Sequence, residues 1–194
     1  MKQTIISPQH CQDCKRLPGR LGPGTYILLF RVRKESALRV GKLGRFTLPN
    51  GFFMYVGSAM GRGGISGRLK HHLSRSEVLH WHVDYLSKVA HLEEIWYQES
   101  QARQEHHWAT VLSTLGRIPI AGFGSSDCGC KAHLFSFLRR PRIHIFQKVL
   151  KNRDSKSEPV RRLLDFDPKI RAFNTDHFTH LVKARTQPGT NPVG

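Results

Sequence analysis

Residues 55–72 read Tyr-Val-Gly-Ser-Ala-Met-Gly-Arg-Gly-Gly-Ile-Ser-Gly-Arg-Leu-Lys-His-His, which predicts a strand, a glycine-rich loop and a helix in succession. Apolar residues recur at helical spacing after the loop, at Ile65, Leu69 and Leu73. On that helix, Arg68 and His72 lie one turn apart and flank the apolar stripe. A glycine-rich loop before a helix N-terminus offers N–H groups that suit a phosphate. The glycines alone are more typical of a plain strand-to-helix connection.

The chain is strongly basic, with 31 Lys and Arg against 14 Asp and Glu among 194 residues. Its net charge is therefore +17 and its pI is near 10.4. The partner that best matches such a field is a polyphosphate, so we expect nucleic acid. An anionic membrane would also be attracted, but we find no basic amphipathic helix or lipidation motif. A basic protein without a nucleic-acid role is the remaining alternative.

The sequence shows no apolar stretch of the ~20 residues that cross a bilayer, and its start lacks the core of a signal peptide. We therefore expect a cytoplasmic location and no membrane partner. In that compartment, the four cysteines are expected to be thiols or metal ligands and not disulfides.

The cysteines form two close pairs, Cys11 with Cys14 and Cys128 with Cys130. Each pair supplies half of the ligands that a zinc site needs, and His133 follows the second pair closely. Two unconnected pairs of structural or surface thiols explain the same spacing, and we favour that alternative.

Strand signals dominate the first half of the chain. Residues 24–33 predict a strand with Tyr26, Leu28, Phe30 and Val32 on one face. A hairpin is expected over residues 38–48, followed by a turn at Pro49-Asn50-Gly51 into the strand that ends at Val56. These connections predict an α+β fold with a small, mainly antiparallel sheet flanked by helices.

Helix signals dominate the segments that follow. Ser74 and Glu77 have capping-box spacing, so we expect a second helix to begin there. A third helix is predicted over Gln101–Leu115, after a strand that starts at His91. Glu105 lies near the start of this third helix, on its apolar side. A carboxylate in that position either binds a cation or favours the helix dipole while reaching water.

We divide the chain into a basic leader (residues 1–21), one domain (residues 22–138) and a basic, partly disordered extension (residues 139–194). Within the extension, short helices are expected around Ile143–Leu150 and around residues 160–164.

Four motifs together resemble the GIY-YIG nuclease superfamily. They are Gly24-Thr25-Tyr26, Tyr55-Val56-Gly57, the pair Arg68 and His72, and Glu105. Thr25 stands where this superfamily usually has an apolar residue. Residues 80–85 and 124–137 look like a prokaryotic subfamily of uncharacterised GIY-YIG domains.

The resemblance implies a metal-dependent endonuclease that hydrolyses phosphodiester bonds, with DNA favoured over RNA. It assigns water activation to Tyr26, ordering of the site to Tyr55, and charge stabilisation on the phosphate to Arg68. It makes His72 an aid in hydrogen bonding or proton transfer, and Glu105 the ligand of one Mg²⁺ or Mn²⁺ ion.

Around that site, three basic residues are expected to contact nucleic acid: Arg62, Lys70 and Arg75. One alternative is a nucleic-acid-binding module of the same fold with little or no cleavage. A weaker one is a zinc-stabilised interaction protein that contacts RNA or the ribosome.

Overall fold

A computed structural model describes residues 21–73 and 79–163 of the chain. Within these residues the elements, in chain order, are β1 (Gly24–Val32), β2 (Ser36–Val40), β3 (Gly44–Leu48), β4 (Gly51–Ala59), α1 (Gly64–Leu73), α2 (His82–Leu86), β5 (His91–Glu99), α3 (Glu105–Leu115), β6 (Leu134–Phe137), α4 (Ile143–Arg153) and β7 (Arg161–Leu163). A single 3₁₀ turn, Gly41–Leu43, joins β2 to β3.

Five of the described strands form a central sheet in the order β6-β4-β1-β5-β7, and each neighbouring pair is antiparallel. β1 lies in the middle, with Tyr26 opposite Gly57 of β4 on one side and Tyr97 of β5 on the other. β2 and β3 form a separate two-stranded hairpin. The predicted α+β fold with an antiparallel central sheet is confirmed.

One side of the sheet, which we call the tyrosine face, carries Tyr26, Leu28 and Tyr55. Paired residues of antiparallel strands share a face, so Tyr55 and its partner Leu28 point to the same side as Tyr26. Helices α1 and α2 cover this face with buried apolar residues at Ile65, Leu69, Val83 and Leu86.

The other side, which we call the apolar face, carries Ile27, Leu29 and Trp96. Helix α3 covers it with Trp108, Val111 and Leu112. The alternation of β1 therefore divides its residues between two separate cores, as the period of two in a strand requires.

Helices α2 and α3 are both shorter than the sequence predicts. The expected start of α2 at Ser74–Glu77 falls outside the described residues, and α2 begins only at His82. Helix α3 begins at Glu105 instead of Gln101. The hydroxyl of Ser100 accepts a hydrogen bond from the Ala102 amide, and that of Thr25 accepts one from the Gln104 amide. Side-chain bonds to the backbone of this kind compete with helix formation.

The core continues past residue 138, where the sequence places the end of the domain. Phe146 of α4 packs against Trp96 and Trp108, with ring centroids 5.9 and 5.3 Å away. The predicted helix around residues 143–150 is confirmed and extends to Arg153.

The helix predicted around residues 160–164 is wrong for its described part, because Arg161–Leu163 form the strand β7. These three residues pair with Ile95–Tyr97 on the edge of β5. The edge of β5 offers unpaired N–H and C=O groups to which this segment binds. The segment is also too short for its apolar spacing to favour a helix.

Among the helices of the described ranges, none has the length and apolar character needed to cross a bilayer.

Candidate active site

Tyr26 lies near the start of β1, and its ring extends over Gly57 on the neighbouring strand. A Cβ atom placed on Gly57 would come within 2.6 Å of the Tyr26 hydroxyl and 2.7 Å of Cζ. A residue without a side chain is therefore required opposite this tyrosine, as is typical of glycine inside a strand where another group approaches closely. The glycine of Tyr55-Val56-Gly57 makes room for the tyrosine of Gly24-Thr25-Tyr26.

Tyr26, His72 and Asp84 form a chain of contacts on the tyrosine face. The Tyr26 hydroxyl lies 2.9 Å from Nε2 of His72. Nδ1 of the same ring lies 3.4 Å from Oδ1 of Asp84. The His72 side chain is only 5% exposed, so this chain is shielded from bulk water. β1, α1 and α2 each contribute one titratable group to it.

Asp84 is held in its ionised form. Burial raises the pKa of its carboxyl, but hydrogen bonds from His72 and from the backbone amides of Trp81 and His80 outweigh burial and bring the pKa below its usual range. The two amides lie 2.8 and 2.9 Å from Oδ2. These bonds also stabilise the N-terminus of α2, and they are the reason that the helix begins at His82.

The ionised carboxylate determines which nitrogen of His72 carries the proton. Burial lowers the pKa of His72, although the hydrogen bond with Asp84 and the charge of Asp84 act in the opposite direction. The imidazole is therefore neutral at pH 7. A carboxylate only accepts, so Nδ1 donates to Asp84 and Nε2 is left to accept the hydroxyl proton of Tyr26. Tyr26 is thus the hydrogen-bond donor to His72, and Asp84 accepts from the other nitrogen of His72 and holds its ring in place.

Both tyrosines are protonated in this environment. Burial, followed by the neighbouring Tyr55, raises the pKa of Tyr26 well above its usual value. Burial and the charge of Glu105 raise the pKa of Tyr55 in the same way. Arg68 acts on both phenols in the opposite direction. Its guanidinium lies 4.2 Å from the centre of the Trp81 ring, a cation–π contact that holds the charge beside the tyrosines.

Tyr55 is positioned by the loop that follows α3. A Cβ atom on Gly124 would come within 2.7 Å of Tyr55 Cε2, and Gly124 has a φ of +73°, so both space and backbone conformation require glycine. The Gly124 amide donates to Nδ1 of His82 over 2.8 Å, which ties this loop to α2. The Tyr55 ring also meets Phe123 edge to face, 6.2 Å away.

Glu105 is buried at the first turn of α3, with 8% of its surface exposed. Although α3 covers the apolar face, its start reaches the start of β1, where the Gln104 amide donates to Oγ1 of Thr25 over 3.2 Å. The charge of Glu105 acts on both Tyr26 and Tyr55. The polar residue in the middle of the first motif thus connects the tyrosine strand to the helix that carries the acid.

Two basic side chains lie next to the Glu105 carboxylate. Its Oε1 is 3.4 Å from Nη1 of Arg103 and 3.4 Å from Nε2 of His106, so the carboxylate already compensates positive charge. Mg²⁺ binds through one or two carboxylates and keeps several waters, so Glu105 is a ligand of the type that Mg²⁺ or Mn²⁺ takes, and an ion would replace its contacts with Arg103 and His106.

This domain matches one known protein family. Residues 25–154, more than half of the chain, match the family described as a domain of unknown function, DUF123. The chain belongs to the DUF123 family. No curated protein and no solved structure matches it. The matched range contains the two tyrosines, Arg68, His72, Asp84 and Glu105, and it includes α4, in keeping with a core that continues past residue 138.

Two of the residues expected to contact nucleic acid are exposed on the DUF123 domain. Arg62 lies in the loop before α1, and Lys70 lies on α1 itself. Arg75 falls outside the described residues. Arg62, Arg68 and Lys70 belong to one loop and helix, and of these three only Arg68 acts on the pKa of the tyrosines.

The cysteines are divided between described and undescribed parts of the DUF123 chain. Cys11 and Cys14 lie outside the described residues. Cys128 and Cys130 are half-buried, and potential ligand atoms of both lie within 4.8 Å of those of His133 and of His106. A second group, His71, His72 and Asp84, meets the same distance limit, but hydrogen bonds account for its geometry.

Asp84 and Trp81 lie in the stretch 80–85 noted in the sequence, but the sequence reading gave neither of them a role in the DUF123 site. Asp84 is three residues beyond Trp81, which is the spacing of an acid that caps a helix, and the sequence contains this signal. Its contact with His72 cannot be predicted from that spacing, because the two residues come from different helices.

Proposed function

We propose that this DUF123 domain is a metal-dependent endonuclease of the GIY-YIG type that hydrolyses phosphodiester bonds in DNA. The observation that carries the proposal is the Tyr26–His72–Asp84 chain, buried beside Arg68 and within the electrostatic reach of Glu105. The order of the four sequence motifs supports the same reaction class. The basic charge of the chain supports a nucleic-acid substrate. We propose a cytoplasmic location for this activity.

The tyrosine and histidine divide the proton transfer between them. The phenol oxygen of Tyr26 accepts the proton of the attacking water while its own proton passes to Nε2 of His72. A neutral histidine can take this proton, whereas a phenol with a raised pKa is a poor base by itself. Asp84 holds the ring in the required tautomer and stabilises the imidazolium that forms, which is a positioning role.

The phosphate reacts as the water oxygen forms a bond to phosphorus and the bond to the leaving oxygen breaks. Negative charge grows on the nonbridging oxygens during this step, and Arg68 is the cation that neutralises it. Tyr55 lies on the same face, and its hydroxyl donates a hydrogen bond to the same phosphate. A Mg²⁺ or Mn²⁺ ion held by Glu105, when bound, supplies Lewis-acid stabilisation of the developing charge.

Binding of the substrate uses the exposed cations and one aromatic ring. Trp81 is 37% exposed and stacks with Arg68, so it offers a base a flat surface next to a charged group. Stacking of this kind is typical of proteins that bind single strands without reading sequence. We therefore expect binding that weakens with salt and does not depend on sequence.

The test is a cleavage assay on supercoiled and branched DNA with Mg²⁺, with Mn²⁺ and with chelator. Wild-type protein should nick DNA only when a divalent ion is present. Arg68→Ala and Glu105→Ala should each lower the rate by about 10²–10³-fold, which is the range seen when one charge-stabilising group is removed. Tyr26→Phe removes only the hydroxyl and should lower the rate to a similar extent.

Arg45→Ala is the matched control for Arg68→Ala, because it removes one exposed positive charge from β3, a strand of the separate hairpin that contributes nothing to the Tyr26–His72–Asp84 chain. Both variants should lose a similar, small amount of DNA affinity, and only Arg68→Ala should lose cleavage. Equal cleavage by wild type and all site variants, at equal folding, would refute the hydrolase assignment. DNA binding without nicking would instead favour the non-cleaving module of the same fold.

A further inference from the structure

A cluster of two thiols and two imidazoles lies next to Glu105 and is not used in the proposed cleavage. Cys128, Cys130 and His133 come from one loop, and His106 comes from the first turn of α3. One ligand atom of each residue lies within 4.8 Å of all the others. Cys128 Sγ is 3.4 Å from Nε2 of His133, and the rings of His106 and His133 are 5.8 Å apart.

These distances are close to those of a tetrahedral zinc site. Zinc binds sulfur at about 2.3 Å and imidazole nitrogen at about 2.0–2.1 Å, so neighbouring ligand atoms in a tetrahedron are about 3.3–3.8 Å apart. An ion would therefore have to draw the four groups, whose ligand atoms lie within 4.8 Å of one another, together by about 1.5 Å or less. Two cysteines and two histidines are also among the commonest ligand sets of structural zinc.

The loop is already folded to present three of the ligands. The Gly122 amide donates to the Lys131 carbonyl over 2.8 Å, and the His133 amide donates to the Phe123 carbonyl over 2.8 Å. The carbonyl of His133 in turn accepts from Val56 of β4 over 3.0 Å. Backbone hydrogen bonds therefore close the loop at its base and attach it to the sheet. His106, which is exposed, completes the set from a different element.

We propose that His106, Cys128, Cys130 and His133 bind one Zn²⁺ ion that ties the loop of residues 121–133 to the start of α3. All four positions around the ion are taken by the protein, which is the arrangement of a structural and not a catalytic zinc.

Two consequences follow for the neighbouring groups. Two thiolates cancel the charge of Zn²⁺, so the bound ion and its cysteines add no net charge beside Glu105. Burial, followed by the hydrogen bond and charge of Cys128, raises the pKa of Cys130 to about 11, so this thiol must lose its proton to bind zinc. Zinc binding must therefore release protons and weaken as the pH falls.

The experiment measures zinc in the full-length protein prepared without a histidine tag. We expect one zinc per chain by elemental analysis, and absorption typical of tetrahedral thiolate coordination when Co²⁺ replaces it. The Cys128→Ser/Cys130→Ser variant should lose the metal. The matched control, Cys11→Ser/Cys14→Ser, removes the other two cysteines and should keep it.

A second pair of variants keeps the test decisive if the loop cysteine variant does not fold. His106→Ala should lose the tetrahedral cobalt spectrum, whereas His144→Ala, which changes an exposed histidine of α4, should keep it. Absence of zinc from wild type, a disulfide found by thiol titration, or loss of zinc from Cys11→Ser/Cys14→Ser would overturn the proposal. None of these readouts requires DNA cleavage, so this proposal is tested independently of the nuclease function.

Discussion

The two faces of the central sheet are built from the same strands and differ in what they bury. The tyrosine face encloses the Tyr26–His72–Asp84 chain, whose polar atoms are satisfied by one another and by backbone amides. The apolar face encloses Trp96, Trp108 and Phe146 in mutual ring contact. Buried polar networks specify a geometry but cost desolvation free energy. Packed aromatic rings stabilise the fold because they remove apolar surface from water. Both faces therefore contribute a hydrophobic core, and the tyrosine face in addition holds the buried polar chain.

The largest expected effect is a loss of stability, and it is tested by comparing substitutions of two tryptophans. Trp108 is 1% exposed on the apolar face and Trp81 is 37% exposed on the other side. Trp108→Ala should lower the free energy of unfolding by about 3–5 kcal/mol because it leaves a cavity. Trp81→Ala should cost about 1 kcal/mol or less, mainly its contact with Arg68. Denaturant unfolding of both variants measures this, and equal losses would show that the exposed ring stabilises the fold as much as the buried one.

The next effect concerns the contact between Gly57 and Tyr26. Gly57→Ala places a methyl group within 2.6 Å of the Tyr26 hydroxyl, so the ring must move away from His72. We expect a loss of about 1–3 kcal/mol in unfolding free energy, the range for overpacking a core, together with loss of cleavage. In the control Gly61→Ala, an added Cβ meets nothing within 4 Å. Similar behaviour of the two variants would show that the ring has room to adjust.

A smaller effect is the pH dependence of His72. The groups that face it are Tyr26 from β1, Arg68 and His71 from α1, and Asp84 from α2. Its pKa is lowered in the folded protein, so its contribution to stability is present above the unfolded value of about 6.5 and is lost as the pH falls below it.

Asp84→Asn sharpens this test, because Asp84 raises the pKa of His72 against the effect of burial. The substitution should therefore lower the pKa of His72 further, as measured by NMR titration of its ring. It should also reduce cleavage at neutral pH, since the imidazolium loses its anion. An unchanged His72 pKa in the variant would show that the 3.4 Å contact carries no coupling in solution.

The smallest effect has the opposite sign. Gly67 is exposed inside α1, and an added Cβ there meets nothing within 4 Å beyond its own helix. Gly67→Ala should raise the free energy of unfolding by about 0.5–1 kcal/mol, because alanine loses less conformational freedom in a helix. Thermal and denaturant unfolding measure the gain, and a loss of stability would reveal a close contact at this helix surface.

Local sequence patterns predicted the elements wherever a long apolar period was present. The strand that begins at Gly24 and the helix Gly64–Leu73 match their predicted positions, because each repeats one period over at least nine residues. Short segments failed, as with Arg161–Leu163, where pairing with β5 decided the conformation. The start of α3 also differs from its predicted position. The Gln104 amide donates to the hydroxyl of Thr25, a residue far away in the chain.

The sequence by itself determined the strands, the main helices, the basic charge and the types of residue available for chemistry, because periodicity and composition are local properties. Only the tertiary structure decided that His72 lies between Tyr26 and Asp84, and that His106 meets Cys128 and Cys130. The physical reason is that each of these contacts joins elements held together by the two cores. Its distance is therefore determined by how the helices pack on the sheet, which no single stretch of the chain specifies.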